Sequence, residues 1–133
     1  MRQFSVKVLD DNDREFVEVL RELGIPRNVA SMITYLANVE EATSREIEIG
    51  SSLRQPEVSI AMRTLRNHDW VEEREIKKDG KGRPMKVYKL TISLADIIRY
   101  FEDEKRRESA KTMESIDKLK ELSRTLSEES PTA

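Results

Sequence analysis

Apolar residues return every three or four positions through most of this chain and alternate with polar ones only in short stretches. Phe4, Val6 and Val8 alternate, which predicts a short strand or an ordered arm. The run DDNDREFVEVLRELG predicts a helix. Acids crowd its start, where the helix dipole favours them. Phe16, Val19, Leu20 and Leu23 make one apolar face, and Gly24 supplies a stop. IPRNVASMITYLANVEEA restarts with Pro26 in the first turn. Val29, Met32, Ile33, Leu36 and Ala37 then repeat at helical spacing. A short third helix follows, capped by Thr43 or Ser44 with Glu46 or Glu48 early in the turn. Ile47 and Ile49 are its apolar residues, and Gly50 ends it.

After the tight connector GSSLRQ, PEVSIAMRTLRNHD predicts a fourth helix with Pro56 pre-set at its first position. WVEEREI and MKVYKLTI have strand character. KKDGKGRP lies between them, and its Asp-Gly pair is a strong hairpin-turn signal. From Ser93 a single uninterrupted pattern predicts one long helix to Ser127, opened by Ser93 and Asp96 as a variant capping box. Residues 128–133 predict a disordered tail.

The sum is a mainly α fold with a small β-hairpin wing (α+β). A short helix, a tight turn and a second helix make a helix-turn-helix, and the hairpin after it makes it winged. This predicts a winged helix-turn-helix over residues 1–92 and a long C-terminal helix over residues 93–127. Such an architecture lays its second helix, here residues 56–68, in a DNA major groove.

The fourth helix can be examined for that role at about 100° per residue. Val58, Ala61, Met62 and Leu65 fall on the side that packs inward. Pro56, Ile60, Arg63, Thr64 and Asn67 lie roughly opposite, with Ser59 toward the edge. An outward isoleucine beside an arginine suits thymine methyl groups and a guanine edge or phosphate. On a bland surface Ile60 would instead pack on a neighbouring element. Gln55, and with it Arg54, stands at the N-terminal end. Gln55 either pairs with adenine or only caps the helix. Backbone N–H groups there and near Thr43 and Ser44 are natural phosphate ligands, and Arg45 adds a charge.

Charge sharpens the picture. The 133-residue chain carries a formal charge of −2. Arg54 to Lys89 holds ten basic residues against six acidic ones, which leaves −6 for the remainder. A basic middle in an acidic chain points to one surface facing a polyanion. In the hairpin, Pro84 holds Arg83 extended, with Lys78, Lys81 and Lys86 around it. A stiff arginine on a thin tip suits a narrow minor groove or the phosphate backbone from residues 78–86. In isolation the same tip reads equally well as a solvated turn.

The run from Gly24 to Leu90 resembles archaeal winged-helix transcription regulators, above all the DNA-binding domain of the TrmB family, with MarR and ArsR families as kin. LGIP, ATSREI, LRQPEVSIAMRTL, WVEE and GRPMKVYKLT carry the resemblance. It implies a dimeric, sequence-specific double-stranded DNA-binding regulator, with Gln55, Ser59, Ile60 and Arg63 reading base edges. Asp69 stands where those families usually have Gly, a position Asp tolerates in left-handed geometry. Full-length TrmB regulators continue into a sugar-binding domain, so sugar sensing is not carried over, and no effector is implied.

In the long helix, Glu102 to Ser109 contains no apolar residue, and the 3-4 seam through it is partly polar. Two patches remain. One docks on the domain. The other, Met113, Ile116, Leu119, Leu122 and Leu126, pairs with a second copy in a homodimer. The bland alternative is a helix folded back on its own domain.

One His and no Cys leave little material for metal or nucleophile chemistry. His68 reads as an end-of-helix surface residue and Trp70 as core. GKGRP lacks P-loop spacing. The expectation is a cytoplasmic non-enzyme without cofactor, metal or membrane association. The rivals are a winged-helix protein-interaction module and a non-specific nucleoid-associated binder.

Overall fold

A computed structural model describes residues 6–77 and 84–129. They form α1 (Asp11–Glu22), α2 (Arg27–Ala37), β1 (Ala42–Thr43), α3 (Ser44–Ser51), α4 (Gln55–Asn67), β2 (Val71–Ile76), β3 (Met85–Leu90) and α5 (Leu94–Glu129). The chain divides into two compact units, residues 1–93 and 94–133.

In the first unit α2 is the hub. Every residue from Val29 to Leu36 is buried, and α1, α3, α4 and β3 all touch it. A helix buried on all sides needs its few polar groups satisfied internally. Thr34 does this by donating its hydroxyl to the Ala30 carbonyl at 2.8 Å.

Helix α1 begins with a reciprocal box. The Asp13 N–H donates to Asp10 Oδ1, and the Asp10 N–H donates to Asp13 Oδ2, both at 2.9 Å. Gly24 ends the helix at φ 91°. The buried face differs from the expected one. Val17 and Leu20 are buried, whereas Val19 is 50% and Leu23 39% exposed. The contact with α2 is rotated by about one residue around the helix.

Residues 6–10 form an irregular arm, with no strand among them. Leu9 buries its side chain and donates its N–H to the Gly50 carbonyl at 3.0 Å, leaving Val8 exposed. Gly50 lies inside α3 rather than at its end. The turn comes two residues later, at Ser52, with φ 58° and ψ 34°. Gly50 is needed for contact, because an added Cβ would meet the Lys7 carbonyl oxygen at 2.1 Å and Tyr35 Cε2 at 2.2 Å. Ile47 is fully buried while Ile49 is 48% exposed.

The sheet is antiparallel in the order β1-β3-β2. The two-residue strand β1 is too short to leave a periodic signal. Asp69 takes φ 59° at the entry to the wing, as its place in the sequence predicts. Trp70 is buried beneath. The base of the hairpin is closed by Thr91 N–H to the Trp70 carbonyl at 2.8 Å.

The second unit is one helix of 36 residues, about 54 Å long at 1.5 Å per residue. It ends two residues past the expected Ser127, and residues 130–133 lie outside the described set. Pairs such as Arg99–Asp96 and Arg106–Glu102 lie along it. No helix among the described residues is long and apolar enough to cross a membrane.

Two predictions follow from this packing. Gly50→Ala gains about 1 kcal/mol of helix propensity but loses about 3 kcal/mol to overpacking against Tyr35 and the arm. Denaturant unfolding should therefore show a clear net loss, and an unchanged midpoint would refute the close contact. Asp13 is the second case. Burial pushes its carboxyl up, but hydrogen bonds from Asp10 and Asn38 and the Lys7 charge outweigh it, so its pKa lies below the usual value. A lowered carboxyl pKa gives stability present at neutral pH and lost as pH falls through the folded value. Asp13→Asn should lose about 1 kcal/mol at neutral pH, with the deficit shrinking in acid titration.

Candidate nucleic-acid interface

The start of α3 is fixed by its cap. Thr43 Oγ1 accepts from the Glu46 N–H at 3.1 Å, and the Thr43 N–H donates to Glu46 Oε1 at 2.9 Å. Thr43 is buried, with both groups engaged. It therefore serves the cap, and Ser44 and Arg45 are the residues left outward in this turn. Ser52 and the buried Leu53 then turn the chain into α4.

Helix α4 starts one residue earlier than its sequence pattern predicts, so Gln55 is helical and Arg54 is the cap position. The Arg54 N–H donates to Glu57 Oε1 at 3.0 Å. Glu57 also takes an ion pair from Arg27 at 3.1 Å, and Asn28 Nδ2 donates to its carbonyl at 3.3 Å. One acid thus ties the N-terminus of α4 to α2. Gln55 does no capping. Its Nε2 donates along the helix to Ser59 Oγ at 2.9 Å.

The inward side of α4 is Val58, Ala61, Met62 and Leu65, all buried. The outward side carries Pro56, Ser59, Ile60, Arg63 and Asn67, all exposed. Ile60 is 54% exposed and packs into no core. Among the described residues neither Arg45 nor Arg63 has an ion-pair partner, so both present uncompensated charge.

Six of the expected contact residues line two recesses beside this crest, while Arg45, Ile60 and Asn67 line neither. A groove of about 260 Å³ between α3, α4 and β3 gathers Ser44, Gln55, Ser59 and Arg63 with Arg66 and Tyr88. Arg54 and Pro56 line a different recess, with Arg27, Ser52 and Glu57. Of the wing cations, Lys86 is exposed on β3, while Lys78, Lys81 and Arg83 lie outside the described residues. Arg66 and Tyr88 escaped the sequence reading. Arg66 is three residues after Arg63 and could have been found by extending the helical face. Tyr88 is joined to the groove only by the fold of the hairpin.

His68 stands at the end of α4 and stacks on Trp70 with ring centroids 4.4 Å apart. Among the described residues no group of three or more His, Cys, Asp or Glu could hold a metal ion. On α5, Met113, Ile116, Leu119, Leu122 and Leu126 are all exposed, from 37% to 65%.

No family model matches the sequence, and no curated protein matches it. Solved structures do. A possible transcriptional regulator from Methanosarcina mazei Go1 aligns over 86% of this chain and 98% of its own, with TM-score 0.58 at 13% identity. A MarR family regulator from Neisseria meningitidis aligns over 88% and 89%, with TM-score 0.46 at 19% identity. S. aureus MepR in DNA-binding conformation aligns over 90% and 91%, with TM-score 0.47 at 18% identity. The likeness to the Methanosarcina protein is one of fold.

Proposed function

We propose that this protein is a dimeric, sequence-specific regulator of transcription that binds double-stranded DNA through α4 and the wing. In this reading it is a winged-helix regulator of MarR-like kind, and the sequence words from Gly24 to Leu90 support the archaeal TrmB likeness as the finer reading. The observation that carries the reading is the outer face of α4. An isoleucine 54% exposed stands beside an arginine with no ion-pair partner among the described residues. The helix is already anchored by four buried residues on its other side.

In this reading α4 enters the major groove. Ile60 meets thymine methyl groups, and Arg63 reaches a guanine edge or phosphate. Gln55 and Ser59 form a linked polar pair at the end that goes deepest, and Asn67 follows the crest. Ser44, Arg45 and Arg54 hold phosphates and fix the register without reading sequence. The wing, with Lys78, Lys81, Arg83 and Lys86, lies along the minor groove or backbone.

The dimer forms through α5. Its second half exposes five large apolar side chains, and a single helix cannot shield them alone. A second copy covers them and sets two copies of α4 on two half-sites, about 34–36 Å apart for one helical turn. A regulator of this kind works beside the chromosome, in the cytoplasm.

Genomic selection of duplexes followed by salt titration tests the DNA reading. A selected duplex should outcompete random DNA, and Arg63→Ala should weaken it by about 1–3 kcal/mol in a site-dependent way. Equal binding of all duplexes with a steep salt slope would mean a non-specific binder. No binding at about 0.15 M salt would favour a protein-interaction module. Leu119→Glu with Leu122→Glu checks the dimer by sedimentation. The wild type should sediment as a dimer and the variant as a folded monomer.

A further inference from the structure

Among the described residues Arg63 and Arg45 have no ion-pair partner, but two cations at the junction of α4 and the wing are already held. Glu73 on β2 lies directly opposite Tyr88 on β3. Residues opposite one another project from the same face of a sheet, and so do alternate residues of a strand. Glu73, Tyr88 and Lys86 therefore share one face. There one carboxylate serves two cations. Arg66 Nη2 donates to Glu73 Oε1 at 3.1 Å, and Lys86 Nζ stands 3.8 Å from Oε2. The Arg66 guanidinium also lies over the Tyr88 ring, 5.8 Å from its centroid.

The location is what makes this arrangement informative. Arg66 and Tyr88 line the same groove as Gln55, Ser59 and Arg63. Glu73 does not line that groove itself, but its carboxylate holds Arg66, which does. The two partners of Glu73 keep half their side-chain surface, 50% for Arg66 and 56% for Lys86. Ion pairs this exposed add little to folding stability. The Tyr88 ring, within cation–π range, gives the same guanidinium a second favourable contact.

We infer that Arg66 is a further phosphate-contacting residue and that Glu73 is its built-in competitor, occupying Arg66 and Lys86 until a DNA phosphate displaces it. This rests on the DNA-binding reading above. On binding, the phosphate oxygens take the donors of Arg66 and Lys86, and the Glu73 carboxylate turns to solvent. One anion exchanges for another, so these two contacts release fewer counterions than bare cations would. The base-reading residues Gln55, Ile60 and Arg63 are untouched. Glu73 therefore lowers affinity for every duplex by a common factor. It sets a threshold that only sites with good base contacts exceed.

The test is Glu73→Gln in the full chain, measured on a selected duplex and on random duplex across a salt titration. Gln keeps the shape and removes the charge. The expected result is affinity higher by about tenfold for both duplexes at about 0.15 M salt. The plot of log affinity against log salt should steepen by about one to two. The ratio between the duplexes should hold within about twofold, and the unfolding midpoint should hold too. The gain should shrink when Arg66→Ala is added and vanish when Lys86→Ala is added as well. Wild-type binding with no change in affinity or slope on Glu73→Gln overturns the competitor role alone. A full gain that persists without Arg66 and Lys86 overturns it as well. Absence of binding by both proteins overturns the DNA reading and this inference with it.

Discussion

The contact between Tyr35 and Gly50 is the constraint on which the first unit depends. It is where the fully buried helix α2 meets α3 and the N-terminal arm, and there is no room for even one methyl group. Because α2 is buried on all sides, each element around it is placed by how it packs on α2. The short helix α3 has only eight residues, too few to be stable alone. It holds its place through the Gly50 approach, the fully buried Ile47 and the Thr43–Glu46 box. What α3 fixes, the turn at Ser52 and Leu53 passes on to α4.

The exposed face of α4 follows from this. Val58, Ala61, Met62 and Leu65 seal one side, and Glu57 ties the first turn to Arg27 and Asn28. Rotation of the helix about its axis is thereby excluded. The residues at Ile60 and Arg63 point outward because their neighbours in the helix are committed inward. The proposed role in base reading would need that rigidity, since base contacts act only when held to a fraction of an ångström.

Much of this could be read from the chain. Helical periodicity, Pro56 in the first turn of α4, the strand character of β2 and β3 and the outward set on α4 are local patterns, set by residues two to four apart. The reading failed where a second element had a say. In α1 the pattern allowed a face through Val19 and Leu23, but packing on α2 chose Val17 and Leu20. Gly50 looked like a helix stop because Gly often is one, yet here its missing Cβ admits the Lys7 carbonyl and Tyr35. Thr43 caps α3 with Glu46, as the sequence predicts, because that box is local.

Spacing along one chain fixes the five helices, the two strands of the hairpin and the apolar side of α4. The sequence by itself also determined that positive charge gathers between Arg54 and Lys89. The tertiary structure decided what those charges meet. Strand β1 exists only because Ala42 and Thr43 pair with Tyr88 and Val87. Arg66, Tyr88, Glu73 and Lys86 come from three separate elements and converge through the register of β2 on β3 and the docking of α4 beside them. The reason is geometric. Periodicity fixes the direction of a side chain relative to its own backbone, whereas a partner 7 residues away for Arg66 and Glu73, or 33 for Arg74 and Glu41, is fixed by packing.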